Sequence, residues 1–254
     1  MSEAGCLKDG MFQNLSVEKR LTIQKIGNPS TGILNKNLPG PYDTDYYTYF
    51  NDFTTATDIS TTDFNENDFG GGGAVSLEAD AVGGIVKFNS SGTEDDGIQR
   101  QLKNETFKYS STKDLYFETR LSVSDADQTD IVIGLCILDT SLIAGMSDGI
   151  YFNVVDGNAS INFVLEKSGT ATTLDTEKDF EDGTVSTKYK KLAFWIPAGQ
   201  SKAYVYVDDK LVKTQTITEE NIPDANLTVS IAMLTGEGAA NPIFVDYVYV
   251  TQKR

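Results

Sequence analysis

From Leu115 to Thr251 nearly every apolar run in the chain alternates with a period of two. That spacing puts successive side chains on opposite faces of an extended strand. Leu115, Phe117, Leu121 and Val123 share one face, and Tyr116, Glu118, Arg120 and Ser122 share the other, the pattern of a half-buried antiparallel strand. Ile131 to Leu138 is apolar on both faces and is expected at the centre of a sheet. Ile150, Phe152 and Val154 lead into Asp156-Gly157, and Ile161, Phe163 and Leu165 return, which predicts a hairpin, because Asp-Gly suits the φ > 0 turn. Leu192, Phe194 and Ile196 form the next strand, followed by Ala203, Val205 and Val207, a turn at Asp208-Asp209, and a return over Leu211 to Thr216. Leu227, Val229, Ile231 and Met233 form one face of another, and Ile243 to Val250 closes the series. Strands recurring between turn signals predict an antiparallel β-sandwich or barrel. No helix of regular length is predicted; Glu219 to Ile222 is at most one turn.

The first part of the chain differs. Residues 1–44 carry Gly27, Pro29, Gly32, Pro39, Gly40 and Pro41, which break any long element. Leu15 and Val17, then Glu18-Lys19-Arg20, then Leu21 and Ile23, make two short alternating runs about a charged centre. Residues 1–44 are read as an extended N-terminal arm and 45–254 as the β-sandwich domain. Tyr46, Tyr47, Tyr49, Phe50 and Phe53 are expected to form a first strand that fills core. Thr54 to Asn67 reads as a polar surface loop, Gly70 to Gly73 as a loop within the domain, and Val75 to Leu77, Gly84 to Phe88, Ile98 to Leu102 and Phe107 to Tyr109 as further strands.

Composition narrows the chemistry. The 254 residues include no histidine, which removes the commonest general base and metal ligand. Ser-His-Asp and Cys-His catalysis are therefore excluded. Two cysteines far apart cannot supply the usual zinc shell, and no disulfide is expected between Cys6 and Cys136. The net charge of −16 argues against nucleic acid and anionic membrane as partners, since phosphate binding needs clustered Lys and Arg. Met1 to Ala4 offers neither the basic nor the apolar region of a signal peptide, and no apolar run is long enough to span a bilayer.

The order of strands resembles the core of concanavalin A-like jelly rolls, a superfamily that includes laminin-G modules, legume-type lectins and family 16-type glucanases. Two places carry the resemblance: Ala203 to Val212 (AYVYVDDKLV), a strand, tight turn and second strand, and Phe244 to Thr251 (FVDYVYVT), a final strand. It covers residues 45 to 252. A second, shorter resemblance lies in Met1 to Gly10 (MSEAGCLKDG) and Phe12 to Val17 (FQNLSV), which look like the opening of virion structural proteins from tailed phages of marine bacteria, including cyanophages. That resemblance implies a leading arm that attaches a β-rich domain to the particle.

Retaining glucanases of the first family carry a Glu-x-Asp-x-x-Glu strand that sets two carboxylates about 5 Å apart. This chain has none; Glu78-Ala-Asp80 comes nearest, and position 83 is glycine. No catalytic residue is assigned and no enzyme activity is expected. Gly70 to Gly73 lacks the lysine and helix of a phosphate loop. No cofactor is required; Asp125, Asp127 and Asp130 are the candidate calcium ligands, a set of hard oxygens in one loop. Trp195, Tyr204 and Tyr206 are the candidate glycan-binding side chains, being flat, amphipathic rings on alternating strands. Core packing is the default reading for all three, as ordinary solvated turns are for the three aspartates.

The resulting expectation is a phage capsid decoration or cement subunit on the virion surface, made in the host cytoplasm. Phe12, Leu15, Val17, Leu21, Ile23 and Ile26 would attach it, with the major capsid protein and further copies of itself, as a trimer, for partners. The alternative is a lectin-like module of a tail fibre or appendage that recognises host-surface glycans; a glycan hydrolase is the least favoured.

Overall fold

The computed structural model describes residues 44–254. The attachment residues between Phe12 and Ile26, and the arm as a whole up to residue 43, lie outside the described residues. Fifteen strands follow one another: β1 (Tyr46–Asn51), β2 (Phe64–Phe69), β3 (Ala74–Leu77), β4 (Val86–Asn89), β5 (Gly97–Leu102), β6 (Leu115–Val123), β7 (Thr129–Cys136), β8 (Gly149–Val155), β9 (Asn158–Lys167), β10 (Thr170–Asp179), β11 (Lys190–Ile196), β12 (Lys202–Val207), β13 (Lys210–Thr216), β14 (Thr228–Thr235) and β15 (Ile243–Lys253). A 3₁₀ turn spans Ala56–Ile59, and a single helical turn, α1 (Leu142–Gly145), lies between β7 and β8.

All the strand pairings are antiparallel and make two sheets. Sheet A runs β13-β12-β11-β6-β15-β4-β3, with β1 on the same flank of β15 as β4 but further along it. Sheet B runs β10-β9-β8-β7-β14-β5-β2. Sheet packs on sheet in a jelly-roll β-sandwich, as the alternation predicts. The inward faces meet in one core, with Leu115, Phe117 and Leu121 from β6 opposite Ile133, Phe152, Phe163 and Ile231 from sheet B. Phe194 is at its centre, stacked on Phe117 (5.3 Å between centroids, 11°) and within 5.5 Å of Phe163 and 6.2 Å of Phe152.

Local chemistry accounts for several departures from plain alternation. In β15 the inward residues are Ile243, Val245, Val248 and Val250, so the period of two breaks at Asp246. There the register against β6 slips by one, a β-bulge that returns Val248 to the core. Asp208 and Asp209 both have positive φ (51° and 65°), the geometry that a two-residue hairpin with matching twist demands. The glycine run carries the chain from β2 in sheet B to β3 in sheet A. Asp68 accepts the N–H groups of Gly72 and Gly73 (both 2.9 Å), and any Cβ at Gly70 would collide with the Asp96 carboxylate.

Three expectations are corrected. Thr54 to Asn67 is not a loop throughout, because it holds the 3₁₀ turn and most of β2, a polar edge strand whose one deeply buried residue is Phe64. Phe107 to Tyr109 is not a strand; Phe107 makes an isolated bridge to Leu227. The aromatic cluster is divided, with Tyr47 and Tyr49 against the core and Tyr46 and Phe50 on the outer face of sheet A. Among the described residues no helix is long and apolar enough to cross a membrane.

Candidate functional site

The outer face of sheet B is partly roofed by the segment between β7 and β8. Gln99 and Gln101, on β5, project outward and are buried (2 % and 1 % exposed). Gln101 donates to Ile137 O (2.9 Å) and Ser230 Oγ (2.8 Å) and accepts the Asp139 N–H (3.0 Å). Gln99 donates to Asp139 O (2.6 Å) and accepts the Leu142 N–H (3.0 Å). These amides satisfy a loop that could not otherwise be buried, since unpaired backbone groups are costly. Leu142 and Met146 then pack on Val132, Cys136, Tyr151, Val164 and Ala232. The double-sided apolarity of β7 is thus explained by a roof as well as a core.

Beyond the roof, over β8 and its neighbours, a hollow of about 240 Å³ remains. Val132, Ile143 and Met146 form its apolar wall, and Tyr151, Asn153, Glu166 and Asp130 its polar one. A Cβ at Gly149 would lie 2.8 Å from the Tyr151 ring, so glycine there makes room for the ring. The Tyr151 hydroxyl donates to Glu166 Oε2 (2.6 Å). Burial first, and then the adjoining Glu166 carboxylate, push the phenol well above its ordinary range, so it stays protonated. Asn153 Oδ1 is buried with no hydrogen-bond partner. Asp130 accepts the N–H of Asp156 (2.8 Å). Asp130 follows the register of Ile131 beside Val154, and Glu166 pairs with Gly149, so their backbones are offset by about six positions along β8, roughly 20 Å. Glycoside hydrolysis needs its two carboxyl groups roughly 5 to 9.5 Å apart.

Trp195, Tyr204 and Tyr206 do come together, on the outer face of sheet A. Trp195 pairs in register with Tyr204, and their rings are 5.7 Å apart. Tyr206 is fully buried and Tyr204 is 9 % exposed, which leaves only Trp195 with appreciable open surface. Tyr204 donates to Gln200 Oε1 (2.7 Å), while Trp195 Nε1 and the Tyr206 hydroxyl are buried without partners. Beside them Glu118 accepts hydrogen bonds from Tyr116 and from Tyr247 (2.5 Å to the latter). Arg120 bonds Asp246 at the bulge and lies 4.0 Å from the Tyr189 ring centroid.

Of the proposed calcium ligands, Asp125 and Asp127 are neighbours close to Asp182 and Glu237, and Asp125 Oδ1 is buried without a hydrogen-bond partner. Asp130 is turned to the β8–β9 hairpin instead. Among the described residues no group of three or more acidic, Cys or His side chains is arranged to hold a metal ion. Sequence reasoning did not find Tyr151, Asn153 or Glu166, although Tyr151 and Asn153 alternate with the core residues of β8 and so had to face outward.

No protein-family model matches the chain, and no curated protein matches it. Solved structures do. An endo-1,3-β-glucanase from Streptomyces sioyaensis aligns with a TM-score of 0.59 at 15 % identity, covering 85 % of this chain and 99 % of that one. The chain shares the jelly-roll fold of this glucanase. A β-glucanase from Bacillus licheniformis has a TM-score of 0.56 at 13 % identity over 80 % of this chain and 97 % of its own. A conserved carbohydrate esterase from the Shiga toxin-encoding bacteriophage phi24B has a TM-score of 0.50 at 15 % identity over 82 % and 97 %. At these identities the jelly-roll likeness is one of fold.

Proposed function

We propose that the chain is a non-catalytic carbohydrate-binding jelly roll that takes one sugar ring in the hollow over β8. The buried, unpartnered Asn153 Oδ1 carries this reading. An orphaned buried acceptor is unfavourable by about 1–3 kcal/mol unless a ligand donates to it. Sugar hydroxyls are donors, and the apolar wall of Val132, Ile143 and Met146 suits the C–H face of a pyranose. At about 240 Å³ the hollow is below the roughly 300–1,000 Å³ that encloses drug-sized ligands, which favours a single ring. The wide separation of Asp130 and Glu166 along β8 supports binding over hydrolysis. A glycan array of the whole chain, followed by calorimetry, should find a ligand whose affinity falls about tenfold or more in Asn153→Leu. Absence of any glycan ligand, or wild-type affinity in that variant, rules the reading out. Release of reducing sugar from the bound glycan would rule out its non-catalytic part.

A second reading is favoured by the sequence of Met1 to Val17: a virion subunit held to a tailed-phage capsid through residues 1–44. Glycan binding would then serve contact with a host surface. Electron microscopy of intact particles tests it. Removal of residues 1–44 should abolish attachment and leave the domain folded; particles decorated by the shortened chain would exclude the arm.

A further inference from the structure

A concavity of about 760 Å³ runs beside β1 and does not belong to the sugar hollow. Among the described residues β1 has one strand partner, β15. The Arg254 N–H donates to Asp45 O (2.8 Å), and the register then directs the backbone groups of Tyr47, Tyr49 and Asn51 to β15. The N–H and C=O of Thr48 and Phe50 therefore point the other way, into the groove. The far wall is formed by Asp58, Asp63 and the stretch from Leu102 to Phe107, with Tyr47 stacked on Phe107 (5.4 Å, 21°). Phe50, 56 % exposed, is at the rim. Open strand edges beside aromatic surface are where extended chains add.

We propose that this groove receives residues 15–23 of a second copy of the chain as an added strand beside β1. The inference is independent of the sugar reading. Leu15, Val17, Leu21 and Ile23 fall on one face of an extended segment, interrupted by Lys19, and Ser16, Glu18, Arg20 and Thr22 on the other, the pattern such an edge accepts. Charge agrees. Residues 1–43 hold five Lys or Arg against four Asp or Glu, so essentially all of the −16 belongs to the rest of the chain. Acidic bodies repel one another. Lys19 and Arg20 bring positive charge to a groove walled by two carboxylates, Asp58 and Asp63, against one lysine, Lys103. Connector length puts a second copy within reach. Residues 24–44 contain Gly27, Pro29, Gly32, Pro39 and Pro41 and far exceed the 2–5 residues of a hairpin loop. Extended, they reach roughly 70 Å, more than the roughly 40 Å diameter of a body this size.

The test uses the full chain. Light scattering after size exclusion should give a multiple of 27.7 kDa for the wild type. Thr48→Pro removes an edge N–H that points away from β15, a place where an edge strand tolerates proline. It should return the chain to one copy and leave the sandwich folded, with a small fall in melting temperature from the lost Thr48–Thr251 hydroxyl contact (3.0 Å). Val17→Asp with Leu21→Asp, in the proposed added strand, should do the same and decides the matter if Thr48→Pro folds poorly. In a mixture of ¹⁵N-labelled and unlabelled protein, an amine cross-linker should join Lys19 of one copy to Lys103 of the other. A monomeric wild type, an oligomer that survives both substitutions, or Lys19–Lys103 links confined to single copies would each overturn the proposal.

Discussion

Replacing Gln101 by alanine tests whether the roof over sheet B is held by side-chain amides. Gln101 makes three hydrogen bonds of 2.8 to 3.0 Å, to Ile137 O, Ser230 Oγ and the Asp139 N–H, at a site 1 % exposed. At about 1 kcal/mol net for each bond the variant should lose about 3 kcal/mol. A domain of this size shifts by roughly 2–4 °C per kcal/mol, so its melting temperature should fall by roughly 6–12 °C. The damage should also be local. Amide exchange over residues 137–147 should accelerate more than over β6 and β11, because the loop loses its anchors while the central strands keep theirs. Gln99→Ala, which removes two such bonds, should show the same signature at about two-thirds the size. A fall of less than about 2 °C with unchanged exchange over 137–147 would falsify the argument that these amides hold the roof.

Phe194→Ala removes the ring shared by Phe117, Phe152 and Phe163 and should cost about 3–5 kcal/mol, read from urea unfolding. Ser168, with φ of 52° before Gly169, should be improved by glycine by about 0.5–1 kcal/mol, since the left-handed region strains a residue with a Cβ; a lower urea midpoint would contradict this. Burial first, then the neighbouring Asp127 and the charges of Asp182 and Glu237, raise Asp125 to about 6 from 3.8. The folded state therefore holds this proton more tightly than the unfolded state, so the stability it contributes is complete below about pH 4 and is lost as pH rises through about 6. Asp125→Asn should flatten that part of the stability–pH curve, and an unchanged slope would count against the shift. Burial pushes the Cys136 thiol far up, so in a Cys6→Ser background it should resist alkylation until the chain unfolds.

Strands with one apolar face were legible because period two survives in the sequence wherever one side meets the core. β6, β8, β9, β11, β12 and β14 follow it closely. β10 was not legible. Its residues Thr170 to Asp179 form an edge strand, exposed on most positions and bulged between Asp175 and Asp179, so no burial imposes a pattern on it. β2 was missed for the same reason. The candidate sugar residues were the harder case. Trp195, Tyr204 and Tyr206 were identified as aromatic and alternating, and the structure does cluster them, but neighbouring side chains bury most of their surface. Alternation along β8 turns Tyr151 and Asn153 outward, but the meeting of Tyr151 with Glu166 has no local signal, because it depends on the register between β8 and β9.

The residue pattern alone determined a two-sheet antiparallel body, its hairpin turns at Asp156-Gly157 and Asp208-Asp209, and the exclusion of histidine-dependent chemistry. These are properties of single segments, written in residues that are neighbours along the chain. Only the tertiary structure decided which outward face is roofed, where a polar hollow survives, and which strand edge is open among the described residues. Those depend on pairings such as Gln101 with Asp139, or β1 with β15, between residues tens to hundreds of positions apart, and no local spacing encodes them.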